Sequence, residues 1–286
     1  MSRLKIRDGV TCVRAAFLGA AAFCSAMASS EQATAADWPA LRGSLSPGYT
    51  RWDGWQAGVQ VGLGNMNTDF GNSTSPLVAF ILRNTTLENE AAPSNWTTLP
   101  SNTTNGPVFG AFVGYNIQWS ELVLGFDLAY KHPSNLNAST SDSLSRRFTT
   151  SDNIQHDVTI AAQSSFKLLD YATLRARAGY AFGQFLPYAV IGAAAGRFTY
   201  LTSVSVTDTM TLTVPPPPVP QGTFQQSASQ GQDNVVVGGV VGGLGLDWAI
   251  TQSVFLRAEW EFIAFAPING TRTNINTGSV GIGVHF

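Results

Sequence analysis

Apolar and polar residues alternate with a period of two along most of the chain after residue 50. The first alternating stretch is Trp55–Leu63, in which the odd positions are apolar and the even positions are Gln or Gly. The second and third stretches are Phe109–Trp119 and Leu122–Tyr130. Because successive side chains of a β-strand point to opposite faces, this period predicts strands whose two faces meet different surroundings.

A fourth alternating stretch is unusually long. Its apolar residues keep one phase from Val158 to Phe182, and Asp170 is the only charged residue that breaks it. Either one tall strand extends beyond a membrane, or two strands meet at a turn near Asp170. The unbroken phase favours the tall strand. This interpretation places Lys167, Arg175 and Arg177 together on the polar face of the strand.

Four more stretches complete a set of eight predicted strands, and they are Tyr188–Tyr200, Val235–Ile250, Val254–Phe262 and Ile275–Phe286. The links after strands two, four and six are short, whereas those after strands one, three and five are long and polar. Short periplasmic turns and long extracellular loops are typical of bacterial outer-membrane barrels. The predicted fold class is therefore all-β, a transmembrane antiparallel up-and-down β-barrel with eight strands, or ten as the alternative.

The beginning of the chain predicts a secretory signal peptide. Basic residues precede the apolar run Ala15–Met27, and two Ala-x-Ala cleavage sites follow it. This order is typical of a signal peptide, and the run is shorter than the roughly 20 residues that span a bilayer. We therefore predict a signal peptide at residues 1–35, a periplasmic segment at 36–51 and the barrel at 52–286, with the choice of cleavage site open.

Composition supports a membrane barrel and limits its chemistry. Charged residues make up 12% of the chain, about half of their share in soluble domains. Cys12 and Cys24 both lie in the predicted signal peptide, so the rest of the chain has no thiol for a disulfide, a zinc site or catalysis. The 16 basic and 18 acidic residues give no basic footprint for nucleic acid. We predict no cofactor, no metal site and no nucleic-acid partner.

Aromatic residues lie at both ends of the predicted strands. Those at the predicted periplasmic ends are Trp55, Trp119, Tyr180, Phe182, Tyr188, Trp248 and Phe286. Those at the outer ends are Phe109, Tyr130, Phe198, Tyr200 and Phe262. Aromatic side chains favour the membrane–water interface, so this distribution predicts two girdles around the barrel. A soluble β-sandwich would instead scatter them through its core.

Charged residues collect on the predicted inner face, four of each sign, and they are Asp127, Lys167, Arg175, Arg177, Asp247, Arg257, Glu259 and Glu261. The interior of an eight-stranded barrel is only wide enough to be filled by side chains, and charges buried there must pair. The pattern therefore predicts a salt-bridged plug in the lumen. A narrow ion path through the same network is the alternative.

Three segments of the predicted outer region invite other interpretations. His156, Asp157 and nearby serines could suggest a hydrolase, but such groups are recognised by geometry rather than by spacing, and we predict no catalytic residues and no enzyme.

The apolar segment Pro76–Leu82 predicts a loop that folds back as a cap, with a contact patch as the alternative. The run Pro215–Pro218 predicts a stiff polyproline segment.

Several segments together resemble the small outer-membrane porin-like proteins of alphaproteobacteria, which belong to the OmpA-type superfamily of eight-stranded barrels. They include WDGWQAGVQVGLG, FGAFVGYNIQW, TLRARAGYAF, VFLRAEWEF and GSVGIGVHF. The resemblance covers residues 52–286 and implies location in the outer membrane, in contact with its lipid and lipopolysaccharide. It also implies that Phe286 is the terminal signal presented to the barrel-assembly machinery.

The resemblance implies a structural function, in which the barrel displays surface loops and supports envelope integrity. A narrow porin for passive diffusion of small solutes or ions is the first alternative, and a surface adhesin or receptor is the second. The proline-rich loop and the long fourth strand exceed the usual form of the family. The sequence indicates no oligomeric state.

Overall fold

The computed structural model describes residues 51–96 and 99–286. The predicted signal peptide, residues 1–35, and the predicted periplasmic segment 36–51, except its last residue, lie outside the described residues. Among those that are described, no helix combines the length and apolar character needed to cross a membrane.

The described residues contain nine strands and two short α-helices. The strands are β1 (Gly54–Asp69), β2 (Asn102–Trp119), β3 (Leu122–Pro133), β4 (Asn137–Thr149), β5 (Ile154–Tyr180), β6 (Phe185–Leu212), β7 (Val219–Ala249), β8 (Val254–Phe265) and β9 (Arg272–His285). Helices α1 (Ser75–Ile81) and α2 (Thr86–Ala91), followed by a 3-10 turn at Pro93–Asn95, lie between β1 and β2.

The strands form one antiparallel sheet that closes into a ring. Their order is β3-β2-β1-β9-β8-β7-β6-β5-β4, and β3 also pairs with β5. The first and last strands of the chain pair from Gln56 with His285 to Asp69 with Arg272. The ring therefore contains eight strands, β1–β3 and β5–β9, and the predicted antiparallel barrel is confirmed. β4 is a ninth strand that continues the path of β3 beside β5.

β4 and the upper parts of β5, β6 and β7 project beyond the ring. β5 is one strand of 27 residues, so the tall-strand interpretation is confirmed and a turn at Asp170 is excluded. Its lower part pairs with β3 and its upper part with β4. β6 and β7 reach the same height with 28 and 31 residues. We call β4 together with residues 154–168, 199–212 and 219–234 the extension; much of it was predicted as irregular loop.

A bulge in β5 reverses which of its residues face the interior. The pairing of β5 with β6 shifts register between Leu168 and Asp170. Above this point the even-numbered residues 158–168 are buried, whereas below it the odd-numbered residues 171–177 are buried. One extra residue in a strand exchanges its two faces. Lys167 is therefore exposed on the outside, and its predicted place in the lumen is wrong.

The outward faces of the ring strands form an apolar belt. On β1 it runs from Trp55 to Leu63, on β5 from Tyr180 to Ala172, and on β6 from Phe185 to Ala195. These lengths agree with the roughly 9–11 residues that a tilted strand needs to cross a bilayer. Above the belt, where the extension begins, most outward residues are polar, and Leu201 is an exposed apolar exception.

Most of the predicted girdle aromatics lie on the outer surface. The exposed ones are Trp55, Phe109, Trp119, Tyr130, Tyr180, Phe182, Trp248, Phe262 and Phe286. Tyr188, Phe198 and Tyr200 instead point inward and are at most 9% exposed, so their predicted place in the girdles is wrong. Both faces of β6 are apolar at this height, so its sequence does not distinguish the inner face from the outer one.

An apolar core fills the upper interior and is closed by the link between β1 and β2. Helix α1 buries Leu77, Val78 and Ile81, and these belong to one cluster with inward-facing strand residues such as Phe166 and Phe198. Burial of apolar area of this kind stabilises the fold by about 25 cal/mol per Å². The segment Pro76–Leu82 thus folds back as a cap, as predicted.

The proline run closes the hairpin between β6 and β7. Leu212 pairs with Val219, and residues 214–217 form a bend between them. Since the paired strands bring both ends of the link together, the chain must reverse direction within it. The predicted stiff polyproline segment is therefore wrong, although the prolines do lie outside the ladder, as expected for residues without a backbone N–H.

Cysteine labelling tests the reversed faces of β5. In the chain without its predicted signal peptide, Lys167→Cys and Ser165→Cys are each the only cysteine, and both are expected to react with a water-soluble maleimide. Ser164→Cys, on the buried face, is expected to be protected in the same folded protein in detergent. Folding is verified by different gel migration of unheated and boiled samples. Protection of Lys167→Cys together with labelling of Ser164→Cys would reverse the assignment of the two faces.

Candidate functional site

Eight charged side chains gather in the interior below the apolar core, and none is more than 4% exposed. They are Asp127 and Lys131 on β3, Arg175 and Arg177 on β5, Asp247 on β7, and Arg257, Glu259 and Glu261 on β8. Alternate residues of a strand share a face, which explains why the charges of β5 and β8 are spaced by two. We call this group the lumen network.

Asp247 forms the lower part of the lumen network. Arg257 donates to both of its carboxylate oxygens, with Nε 2.9 Å from Oδ1 and Nη2 3.0 Å from Oδ2. Arg177 also donates to Asp247 Oδ2. Gln56 Oε1 accepts from Arg257 Nη2 at 3.1 Å, and Gln56 Nε2 donates to Asp127 Oδ1 at 2.8 Å. The neutral amide thus joins the lower pairs to Asp127.

The two glutamates of β8 form the upper part. Arg175 Nη1 donates to Glu259 Oε1 at 2.6 Å and to Glu261 Oε2 at 2.7 Å. Lys131 Nζ lies 3.2 Å from Glu261 Oε1 and 3.7 Å from Glu259 Oε1. The hydroxyl of Tyr188 donates to Glu259 Oε2 at 2.9 Å. Each glutamate therefore faces two cations.

Asp127 connects the two parts electrostatically. Its Oδ2 lies 3.5 Å from Arg175 Nη2, 3.8 Å from Arg177 Nη1 and 3.6 Å from Arg257 Nη1. Arg177 also stacks over the ring of Tyr188 at 3.6 Å, a favourable cation–π arrangement. With four acidic and four basic members, the lumen network carries no net charge, as the burial of so many charges requires.

Seven of the eight residues predicted for the lumen lie in this network, and Lys167 does not. Lys131 supplies the fourth cation instead. Sequence reasoning missed it, although its spacing of four residues from Asp127 on the same strand placed both on one face. Gln56 and Tyr188 were also missed, because neutral residues carry no charge pattern that would reveal them.

A second apolar layer closes the interior below the network. Trp52 is fully buried there beside Phe112 and Phe255. Its ring packs edge-on against Phe255 at 6.2 Å and against His285 at 5.3 Å between ring centroids. Its backbone N–H donates to Gln118 Oε1 at 2.8 Å. The lumen network is thus enclosed by packed side chains both above and below.

His156 does not form a pair with its sequence neighbour. Its Nδ1 lies 2.7 Å from Asp208 Oδ2 on β6, and both residues are buried. Asp157 points to the outer face, where a hydrogen bond from Arg147 lowers the pKa of its carboxyl. Adjacent strand residues point to opposite faces, so His156 and Asp157 are separated by the sheet. Among the described residues, no group of three or more His, Cys, Asp or Glu is placed to hold a metal ion.

The terminal residue Phe286 lies on the outer surface with 74% of its area exposed. Its backbone N–H donates to the Trp55 carbonyl at 3.0 Å, and its own carbonyl accepts from Trp55 N at 3.0 Å. These bonds hold the end of the chain against β1 and help to close the ring. The role of Phe286 as an assembly signal stays a prediction.

Comparison with known proteins gives a family match. Residues 16–286 match the family described as Outer membrane protein beta-barrel domain, and this range includes every strand of the ring. No curated protein matches the chain in sequence.

Several solved structures are similar to the chain at low sequence identity. Ail, the attachment invasion locus protein of Yersinia pestis, has 13% identity, with 82% of this chain and 100% of that chain covered at a TM-score of 0.34. Neisserial surface protein A has 13% identity, with 80% of this chain and 97% of that chain covered at a TM-score of 0.33. The outer membrane protein OprG from Pseudomonas aeruginosa has 9% identity, with 84% of this chain and 98% of that chain covered at a TM-score of 0.34.

Removing one member of the lumen network should destabilise the barrel strongly. Arg175→Met leaves Glu259 and Glu261 with Lys131 as their nearest remaining cation, and breaking a buried pair in this way typically costs about 3–5 kcal/mol. We expect the urea midpoint of unfolding to fall correspondingly. Arg147→Met breaks an exposed pair and is the matched control, expected to leave the midpoint almost unchanged. Equal midpoints for both variants would contradict a stabilising network.

Proposed function

The chain belongs to the outer membrane protein beta-barrel family, and from that premise we propose that it is a closed barrel. In this proposal it anchors the extension at the cell surface and supports envelope integrity. The observation that carries the proposal is the filled interior, in which the neutral lumen network lies between two apolar layers. A narrow porin is the alternative that this observation disfavours.

The arrangement of the interior opposes passive diffusion. A permeating ion would have to separate charges that are already paired, such as Arg257 from Asp247, without bulk water to compensate. It would also have to cross the layer around Trp52 and the apolar core beneath α1. A conducting pore needs favourable but weak interactions along its whole path. These barriers support a structural role over transport.

The extension supports a role at the surface. Above Ala195, where the continuous apolar face of β6 ends, the strand continues to Leu212, which corresponds to roughly 55 Å of extended chain. β5 and β7 rise with it, and the prolines of the β6–β7 hairpin form its tip. These strands are much longer than is needed to span the membrane.

A surface adhesin or receptor is the second candidate. In the described part of the chain, β4 and the upper part of β7 each pair with one neighbouring strand, so the extension has two open edges. Open edges present backbone N–H and C=O groups that can pair with another strand. This feature favours binding of an external partner, in addition to the anchoring role.

Electrical recording tests the closed interior. Purified protein in planar bilayers is expected to give no large steady conductance, because the paired charges and both apolar layers block the path. A variant lacking residues 73–95 removes only the upper cap, and it is expected to stay closed because the lumen network remains. An unrelated general porin in the same bilayers is the positive control. A large steady conductance from the wild-type protein would contradict the proposal.

Epitope tagging tests the placement of the extension outside the cell. A tag inserted between Pro216 and Pro217, at the hairpin tip, is expected to bind antibody on intact cells. The same tag between Ser120 and Glu121, in the short turn after β2, is expected to bind only after the outer membrane is permeabilised. The opposite pattern of labelling would invert the barrel and remove the basis for surface display.

A further inference from the structure

The outer surface of β5 and β6 changes abruptly from apolar to charged at the top of the belt. Ala172 pairs with Ala195 at the last apolar level. The next outward-facing pair is Asp170 with Arg197, and above it Lys167 pairs with Thr199. Two outward residues of one strand are separated by about 7 Å. Both cations therefore lie just above the apolar belt.

Lys167 and Arg197 are close enough to act on one small anion. Since Lys167 pairs with Thr199, Arg197 is its diagonal neighbour, and such neighbours lie about 7–8 Å apart. Long basic side chains readily cover that distance. Asn137 on β4 pairs with Lys167 from the other side, so hydrogen-bonding residues flank the lysine on both neighbouring strands.

The donors of this cluster are only partly used. Arg197 Nη2 donates to Asp170 Oδ2, and the arginine side chain is 46% exposed, which leaves its other N–H groups for a ligand. The Lys167 side chain is exposed and forms no ion pair or hydrogen bond with any other residue that the structure describes. With one carboxylate against two cations, the cluster has a net positive charge.

We propose that Lys167 and Arg197 bind a phosphate group carried by a lipid of the outer leaflet. Lysine and arginine form strong charge-assisted hydrogen bonds with phosphate oxygens. The surface below the cluster is apolar, with Leu174 and Ile191 exposed, and it suits the acyl chains of the same lipid. The surface above is mostly polar, with Leu201 as an exposed apolar residue among Thr and Ser residues, so a phosphate at the boundary satisfies both neighbouring environments.

The bulge in β5 is what creates this site. Without the extra residue between Leu168 and Asp170, residues on either side would keep one phase, and Lys167 would share the inner face with Arg175 and Arg177. The bulge turns the lysine outward at the height where lipid phosphates lie. The proposal rests on the proposed function only for the outward placement of the extension.

Binding measurements with defined probes test the site. Native mass spectrometry of the protein in detergent would compare a bisphosphorylated lipid A, the same lipid A without its phosphates, and sodium phosphate. We expect the wild type to retain the phosphorylated lipid and Lys167→Gln/Arg197→Gln to bind it about tenfold more weakly. Arg272→Gln is the matched control, because Arg272, like Arg197, is exposed above the belt and pairs in register with an aspartate, Asp69, but the next outward pair, Asn67 with Asn274, supplies no second cation.

Three results would overturn the proposed lipid site. Equal binding of both lipid forms, or equal loss in Arg272→Gln, would overturn it, and so would binding of sodium phosphate in place of the lipid. If the double variant does not fold, Lys167→Gln alone must weaken binding and Lys167→Arg must restore it. These substitutions lie outside the lumen, so a failed lipid site leaves the conductance and tagging results unaffected.

Discussion

One constraint governs the rest of the structure: charges enclosed in a narrow barrel must pair with one another. A ring of eight strands leaves room inside only for side chains, so bulk water cannot solvate Asp127 or Arg175. Unpaired, either would be costly to bury. Four acidic and four basic groups meet the constraint together as one neutral network, and Gln56 and Tyr188 add hydrogen bonds to its members.

A single extra residue in β5 allows this strand to contribute side chains both to the lumen network and to the apolar core. Below the bulge, β5 contributes Arg175 and Arg177 to the lumen network; above it, the same strand contributes Phe166 to the apolar core. The exchange of faces also sends Lys167 outward to the level where the apolar belt ends. Packing, charge pairing and the surface chemistry of the proposed lipid site thus follow from one local irregularity.

The barrel could be predicted because lipid outside and packed polar groups inside give each strand two contrasting faces. The sequence cannot reveal the bulge, since Val158–Leu168 and Leu174–Tyr180 share one apolar phase while facing core and lipid respectively. The alternation pattern did not place Tyr188 on the inner face, because both faces of β6 are apolar at that height. The pattern also failed to predict β4 and the upper part of β7, whose sequences contain few apolar residues and no apolar alternation. The place of Lys131 in the lumen network could have been predicted, because it lies four residues from Asp127 on the same face of β3.

The central claim, that the interior is held by mutual pairing, is tested most directly by a double-mutant cycle on Arg175 and Glu259. Unfolding free energies would be measured in urea for Arg175→Met, Glu259→Gln and the double variant. The account predicts that the double variant loses less than the sum of the single variants, with a coupling of about 1 kcal/mol or more. Simple additivity would contradict it, because the two charges would then stabilise the barrel independently.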